Sequence, residues 1–120
     1  MDITYIHGLK INTIIGIFDW ERQQPQELII DIDMGTDFSD AIKTDHINSC
    51  VDYTLISKAI IDLAHEHSYQ LIESFAEKIS QIILKQFKVH WVKIKINKPM
   101  AIKEAQSIGV LIERTANNIP

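Results

Sequence analysis

Alternating and helically spaced hydrophobic residues divide the chain into segments in the order strand, strand, helix, helix, strand, strand. Over residues 91–97, apolar and polar side chains alternate strictly, which is typical of a strand with one buried face. Residues 28–34 alternate in the same way from Ile30 onward and predict another strand. Because Pro99 cannot donate a hydrogen bond to a sheet, we expect the strand that begins at Trp91 to stop there.

The first strand and the two helices have less regular patterns. Residues 2–17 are rich in isoleucine and threonine and predict a long strand that bends at Gly8 and Gly16. Residues 53–65 and 71–87 carry apolar side chains at helical intervals, so each predicts an amphipathic helix. We expect Thr54 to cap the first of these helices.

Two connections and the end of the chain complete the pattern. Residues 19–25 predict a polar turn, and residues 35–50 predict an irregular connection with a helical turn at 39–42. Residues 108–113 predict the fourth strand, after which residues 116–120 are expected to fray.

These elements predict an α+β fold, a four-stranded antiparallel sheet with both helices on one face (ββααββ). A chain of 120 residues suffices for one core, so we expect residues 1–120 to form a single domain. The other face of the sheet and both of its edges would be uncovered within one chain, and exposed edges favour pairing with further strands. We therefore expect a homo-oligomer in which several sheets close into a β-barrel, with sites shared between subunits.

Composition and charge exclude several classes of function. The net charge of −4, without a basic cluster, argues against nucleic acid as the main partner. No apolar run is long enough to cross a bilayer and no signal peptide is recognisable, so we expect a soluble, cytoplasmic protein. The single cysteine, Cys50, allows no intramolecular disulfide and fits a reducing compartment, and we expect it to be a small buried residue.

Metal and nucleotide sites have no support in the pattern of residues. His65 and His67 stand two positions apart, which points their rings to different sides of a helix. The other histidines are scattered, and no glycine-rich loop is present for a nucleotide phosphate. We therefore expect neither a metal nor a cofactor.

Four side chains capable of chemistry fall at the predicted boundaries of elements, where functional groups are often mounted. Lys98 closes the third strand, Glu21 follows the first strand, Tyr53 precedes the first helix, and Glu73 lies in the first turn of the second helix. Each also has an ordinary structural explanation, as a solvated strand-end lysine, a turn carboxylate, a packing aromatic or a first-turn glutamate.

In this order and spacing, the motifs resemble those of bacterial dihydroneopterin aldolases, folate-pathway enzymes with the tunnelling fold, or T-fold. The similarity extends over residues 2–115. It includes the stretches G-I-F-D-W-E, L-I-E-S-F-A-E and I-N-K-P, the tyrosine before the first helix, and the closing stretch S-I-G-V-L-I-E-R.

The resemblance implies a metal-free carbon–carbon lyase that cleaves 7,8-dihydroneopterin into 6-hydroxymethyl-7,8-dihydropterin and glycolaldehyde. Glu73 would bind the pterin ring with Ile72 beside it, and Lys98 would transfer protons on the substrate side chain. Tyr53 would help protonate the enol intermediate from a neighbouring subunit, and Glu21 would orient substrate hydroxyls or a water. The resemblance also implies an octamer of two stacked tetrameric rings.

Two other functions stay open at this stage. The same site would support an epimerase acting on dihydroneopterin or on its triphosphate, which would need cations near the pocket, and a non-catalytic pterin-binding module is the third possibility. Two positions depart from the family pattern: Met100 stands where glycine is expected, and Ser74 where relatives often carry arginine. A cationic neighbour such as Lys93, Lys95 or Lys103 could lower the pKa of Lys98.

Overall fold

A four-stranded antiparallel sheet with two long helices on one face forms the body of the molecule, and the computed structural model describes residues 1–99 and 101–117. The strands lie side by side in chain order. The elements are β1 (Asp2–Thr13), α1 (Asp19–Arg22), β2 (Gln26–Thr36), α2 (Ser39–Thr44), a 3₁₀ turn (Ile47–Ser49), α3 (Tyr53–Glu66), α4 (Ile72–Gln86), β3 (Trp91–Pro99) and β4 (Ser107–Thr115). The predicted α+β class and the order of its main elements are confirmed. Met100 and residues 118–120, part of the predicted frayed end at 116–120, lie outside the described residues.

The core forms where the alternating side chains of β2 and β3 meet the two long helices. Three directly opposed pairs, Ile30 with Ile96, Ile32 with Ile94 and Met34 with Val92, are completely buried. Opposed β-branched side chains stabilise the pairing of the two strands. Helix α3 packs against β1, and α4 packs against β3 and β4, which encloses these residues.

The opposite face of the sheet carries charged side chains and no helix. Asp31 pairs across the strands with Lys95, and Asp33 with Lys93. His7 Nε2 lies 2.7 Å from Asp33 Oδ1. Because these side chains alternate with the core residues, Lys93 and Lys95 point away from the helices.

Gly8 produces the predicted bend in β1. Its φ angle is +74°, and the pairing register between β1 and β2 shifts between Ile6 and Leu9. Its N–H donates to Asp31 Oδ1 at 2.7 Å. Glycine adopts this left-handed conformation without steric cost, which suits a β-bulge.

Several boundaries and environments differ from the predictions. Asp52, not Thr54, caps α3, because its Oδ1 accepts hydrogen bonds from the N–H groups of Thr54 and Leu55. The predicted polar turn contains α1, which at four residues is too short to show helical periodicity. Cys50 is exposed rather than buried, because it ends a surface 3₁₀ turn where its Sγ contacts the carbonyl of Ile47. Across the described chain, no helix is long and apolar enough to cross a membrane.

Candidate active site

Four of the five predicted site residues line one cleft, at the end of the molecule where β3 stops and α4 starts. The cleft has a volume of about 340 Å³, a size suited to a small molecule. Lys98, Glu21, Glu73 and Ile72 line it. The other described lining residues are Ile15, Gly16, Ile17, Phe18, Trp20, Gln70, Leu71, Ala101, Ile102 and Ile108.

Lys98 reaches the cleft because it lies on the buried side of β3. It continues the series Val92, Ile94 and Ile96, so its side chain leaves the strand on the helix side. Only 14% of that side chain is exposed, and Nζ forms an ion pair with Glu21 Oε2. Lys93 and Lys95, two of the cations that could have lowered the pKa of Lys98, lie on the opposite face of the sheet. The side chain that pairs with Lys98 is an acid.

Glu21 is the buried carboxylate of the site, with 4% of the residue exposed. Its Oε1 accepts hydrogen bonds from the N–H groups of Ile17 and Phe18, both at 3.2 Å. Its Oε2 accepts from Lys98 and, at 3.5 Å, from Gln26 Nε2. The hydrogen bond from Lys98 holds the pKa of the Glu21 carboxyl below its ordinary value of 4.5, against the opposing effect of burial.

Gly16 makes room for this carboxylate. A Cβ atom built at Gly16 would overlap the carboxyl group of Glu21, and the φ angle of +118° disfavours any other residue. The loop that turns at Gly16 therefore lies directly against the carboxylate. The bend predicted at this position is confirmed, although β1 ends three residues earlier, at Thr13.

The start of α4 forms a second wall of the cleft. Leu71 precedes the helix and provides no side-chain cap, and the first N–H bonded within the helix is that of Phe75, to the carbonyl of Leu71. The backbone N–H groups at the start of a helix have no intrahelical acceptor and favour negative charge or a hydrogen-bond acceptor. Ile72 and Glu73 therefore combine free donors with a carboxylate at the mouth of the cleft.

Apolar side chains form the rim. Ile17, Phe18 and Trp20 are each about 60% exposed, and Leu71 and Ile102 each about half exposed. The rings of Phe18 and Trp20 are nearly parallel, at 4°, with centroids 6.4 Å apart. Exposed apolar groups around a polar floor are typical of a site for a flat heterocycle or for a partner surface.

Tyr53 does not line this cleft. It begins α3 and is 61% exposed, beside the exposed Leu55. Within one chain the structure therefore brings together Lys98, Glu21, Glu73 and Ile72 but leaves Tyr53 apart. The notion that Tyr53 acts in the site of another subunit stays a prediction.

The sequence patterns did not identify two polar residues that support the site. Gln26 Nε2 donates to the carbonyl of Ile15 at 2.9 Å as well as to Glu21. Arg22 donates to three backbone carbonyls of the surrounding loops. An arginine in the polar turn and a glutamine at the first position of β2 give no periodic signal, because folding alone brings their partners close.

The arrangement combines a buried ion pair with an exposed carboxylate in one cleft that has an apolar rim. Lys98 and Glu21 form the floor, and the Glu73 carboxylate with the free N–H groups of α4 stands at the mouth. Among the described residues, no three His, Cys, Asp or Glu side chains are grouped as metal ligands would be.

Comparison with known proteins gives consistent matches over the whole chain. The family model described as dihydroneopterin aldolase matches residues 4–113. Dihydroneopterin aldolase of Escherichia coli K12 is 37% identical over 117 residues, 98% of this chain and 96% of the relative. The crystal structure of the E. coli dihydroneopterin aldolase in complex with neopterin has a TM-score of 0.91 at 37% identity, with coverage of 95% of this chain and 99% of that one. A dihydroneopterin triphosphate 2′-epimerase of Pseudomonas aeruginosa is 25% identical over 107 residues, 89% of this chain and 87% of the relative.

Proposed function

This chain belongs to the dihydroneopterin aldolase family, and on that premise we propose how its cleft cleaves 7,8-dihydroneopterin. The bond that breaks joins the two hydroxyl-bearing carbons next to the pterin ring, and the products are 6-hydroxymethyl-7,8-dihydropterin and glycolaldehyde. The observation that carries the proposal is the Lys98–Glu21 ion pair, which lies in the same cleft as Glu73.

Glu73 binds the pterin ring in this proposal. Its carboxylate accepts hydrogen bonds from the 2-amino group and from a ring N–H, a bidentate geometry that few other flat rings satisfy. The free N–H groups at the start of α4, beside Ile72, are available to the acceptor atoms of the ring. The apolar rim then covers the faces of the ring, and the substrate side chain extends toward Lys98.

Lys98 moves the proton that the cleavage requires. As the ammonium partner of Glu21, it donates a proton to the ring nitrogen of the C=N bond. That nitrogen takes the π electron pair of the C=N bond, while the electron pair of the breaking carbon–carbon bond forms a double bond between the ring carbon and the side-chain carbon that stays. The amine so formed accepts the proton of the hydroxyl on the departing carbon, directly or through a water, and that carbon leaves as the aldehyde. The ring retains an enol, which gains a proton on carbon and returns one from nitrogen to give the hydroxymethyl product.

Glu21 keeps the amine of Lys98 in place between turnovers. Since Glu21 Oε1 is held by two backbone N–H groups and Oε2 faces Lys98, the carboxylate has little freedom to move. In this proposal it also orients a substrate hydroxyl or the water beside Lys98.

Tyr53 acts at the site of a neighbouring subunit, where its hydroxyl helps protonate the enol. Two observations support this assignment: Tyr53 is exposed, and it does not line the cleft of its own chain. The uncovered sheet face and the two edge strands support closure of several sheets into a barrel. We infer an octamer of two stacked tetrameric rings, and light scattering on the purified protein tests it. A monomer in solution would contradict both the barrel and the shared site.

The charge of the cleft favours a substrate without phosphate. Lys98 is the only cation among the described lining residues, and Glu21 already pairs with it. A triphosphate would need several cations, so this observation favours dihydroneopterin over its triphosphate. Epimerisation of dihydroneopterin itself remains compatible with the site, because returning the aldehyde to the other face of the enol inverts a side-chain carbon.

The direct test is to incubate EDTA-treated protein with 7,8-dihydroneopterin and to resolve the pterins by chromatography. We expect hydroxymethyl-dihydropterin together with an equal amount of glycolaldehyde. A side-chain epimer as the main product would instead identify an epimerase. Binding of neopterin without any conversion would identify a non-catalytic pterin-binding module.

A further inference from the structure

Arg22 connects the two walls of the cleft through backbone atoms alone. Its Nη1 donates to the carbonyl of Tyr69 at 3.0 Å and to that of Gly16 at 3.3 Å. Its Nη2 donates to the carbonyl of Ser68 at 3.1 Å. Gly16 belongs to the loop that precedes α1, the helix of Glu21, whereas Ser68 and Tyr69 belong to the connection between α3 and α4.

The two segments that Arg22 joins, the loop before α1 and the connection between α3 and α4, are each continuous in the chain with a part of the site. Arg22 is the last residue of α1 and follows Glu21 in the chain. Tyr69 lies three positions before Ile72, where α4 begins, and its ring stacks on the buried Phe75 of that helix, with centroids 5.5 Å apart. A shift of the Ser68–Tyr69 carbonyls would therefore move the start of α4 relative to Glu21.

The charge of Arg22 has no carboxylate partner among the described residues. The guanidinium group instead donates hydrogen bonds to three backbone carbonyls. Its planar shape and fixed N–H directions allow it to reach all three together. A lysine has one rotatable ammonium and cannot reproduce that fork.

We propose that Arg22 is a positioning residue that sets the distance between the pterin anchor at the start of α4 and the Lys98–Glu21 pair. The inference rests on the proposed function, since it assigns the ring to one wall and proton transfer to the other. Misplacement of reacting groups by about 1 Å can reduce turnover about 100-fold, so a small movement of α4 is sufficient for a large effect.

The test compares Arg22→Met, which keeps an apolar stem, and Arg22→Lys with Arg114→Met. Arg114 is a matched control because its guanidinium also holds α4, through Glu77 at 3.1 Å, but on β4 and away from the cleft. We expect Arg22→Met to lower kcat at least tenfold with a change in KM of less than threefold, and Arg22→Lys to recover part of the loss. Arg114→Met should lower the thermal midpoint by as much or more while kcat stays within twofold of the wild type.

Hydrogen–deuterium exchange supplies a readout that does not depend on turnover. Arg22→Met should speed exchange of the backbone amides of residues 67–73, and Arg114→Met should leave that segment unchanged.

Normal kcat in both Arg22 variants would overturn the proposal, as would equal losses of kcat in Arg22→Met and Arg114→Met at equal thermal midpoints. If Arg22→Met does not fold, the same criteria apply to Arg22→Lys. If the wild-type protein converts no substrate, the proposed function fails, and unchanged exchange in residues 67–73 would then overturn the positioning role separately.

Discussion

Lys98 and Glu21 stand 77 positions apart in the chain and form an ion pair in which the two side chains are 14% and 5% exposed. The pair joins the end of β3 to α1, and it lies on the floor of the cleft. Because both charges are largely removed from water, each depends on the other for its stability. The pair therefore has consequences for catalysis, stability and pH dependence that can be measured separately.

Replacing Lys98 with methionine should remove catalysis but retain ligand binding. Without the group that transfers protons, we expect kcat to fall about 10²- to 10⁴-fold. The Glu73 anchor is untouched, so the Kd for neopterin measured by calorimetry should change little. Lys95→Met is the control, because Lys95 lies on the same strand but points to the opposite face. Turnover within twofold of the wild type in Lys98→Met would remove Lys98 from its role.

The same replacement should destabilise the protein by leaving a buried carboxylate without its partner. Loss of one member of a buried ion pair typically costs about 3–5 kcal/mol of unfolding free energy. The double variant Glu21→Gln/Lys98→Met, in which no charge is left, should be more stable than Lys98→Met alone yet equally inactive. Urea unfolding of the two variants measures the difference, and equal stabilities would show that Glu21 does not depend on Lys98.

Stability should decrease in acid because of Glu21. Its pKa is lowered in the folded protein, so the stabilisation is fully present above the ordinary value of 4.5 and is lost as the pH falls through the folded pKa. Below pH 4.5 the Glu21 carboxyl binds a proton in the unfolded chain, whereas in the folded protein it stays ionised to a lower pH. Urea unfolding from about pH 6 down to about pH 3 should show this loss. Glu21→Gln should have a flatter profile over the same interval, and an identical profile would contradict the assignment.

Glu73→Gln should weaken substrate binding more than it slows the conversion of bound substrate. An amide keeps the shape of the side chain but cannot accept two hydrogen bonds from the pterin edge. Hydrogen bonds to a charged group contribute about 1.5–3 kcal/mol, so we expect the Kd for neopterin to rise about 10- to 100-fold. The control is Glu66→Gln, since Glu66 is exposed at the last position of α3 and does not line the cleft. Unchanged affinity in Glu73→Gln would mean that the ring is bound elsewhere.

A site shared between subunits should be restored by mixing two inactive variants. Tyr53→Phe and Lys98→Met each damage every site of a pure oligomer, but mixed oligomers contain some sites with an intact Tyr53 and an intact Lys98. Random pairing around closed rings predicts about a quarter of wild-type turnover after the two variants are unfolded and refolded together. Activity no greater than the average of the two pure variants would place Tyr53 in the site of its own chain.

The sequence predicted the elements that have many periodic residues and failed where one or two contacts decide the structure. The alternation of β2 and β3 and the long apolar stripes of α3 and α4 gave the correct class and order. The helix α1 and the capping role of Asp52 depend on local hydrogen bonds, which several neighbouring residues could equally have formed.

The candidate site was predictable only in part for the same reason. Family resemblance named Lys98, Glu21 and Glu73, but their contacts depend on long-range folding. The pairing of Lys98 with an acid rather than with a cation follows from its place on the buried side of β3. That side could have been predicted from Ile96 and Ile94, two and four positions earlier in the strand. Arg22 had no comparable signal, since its acceptors are carbonyls that any residue carries.

The position of Lys98 in the alternation of β3 also constrains how the enzyme can be altered. A single inserted or deleted residue between Ile94 and Lys98 would turn the amine away from the cleft, to the sheet face that carries Asp31 and Asp33, even if the strand still paired. Relocating the amine along β3 is possible only in steps of two, and each step replaces a core side chain. Residues of the rim and of the start of α4 can therefore be substituted to change the substrate scope. The strand β3, which carries the lysine, must keep its length.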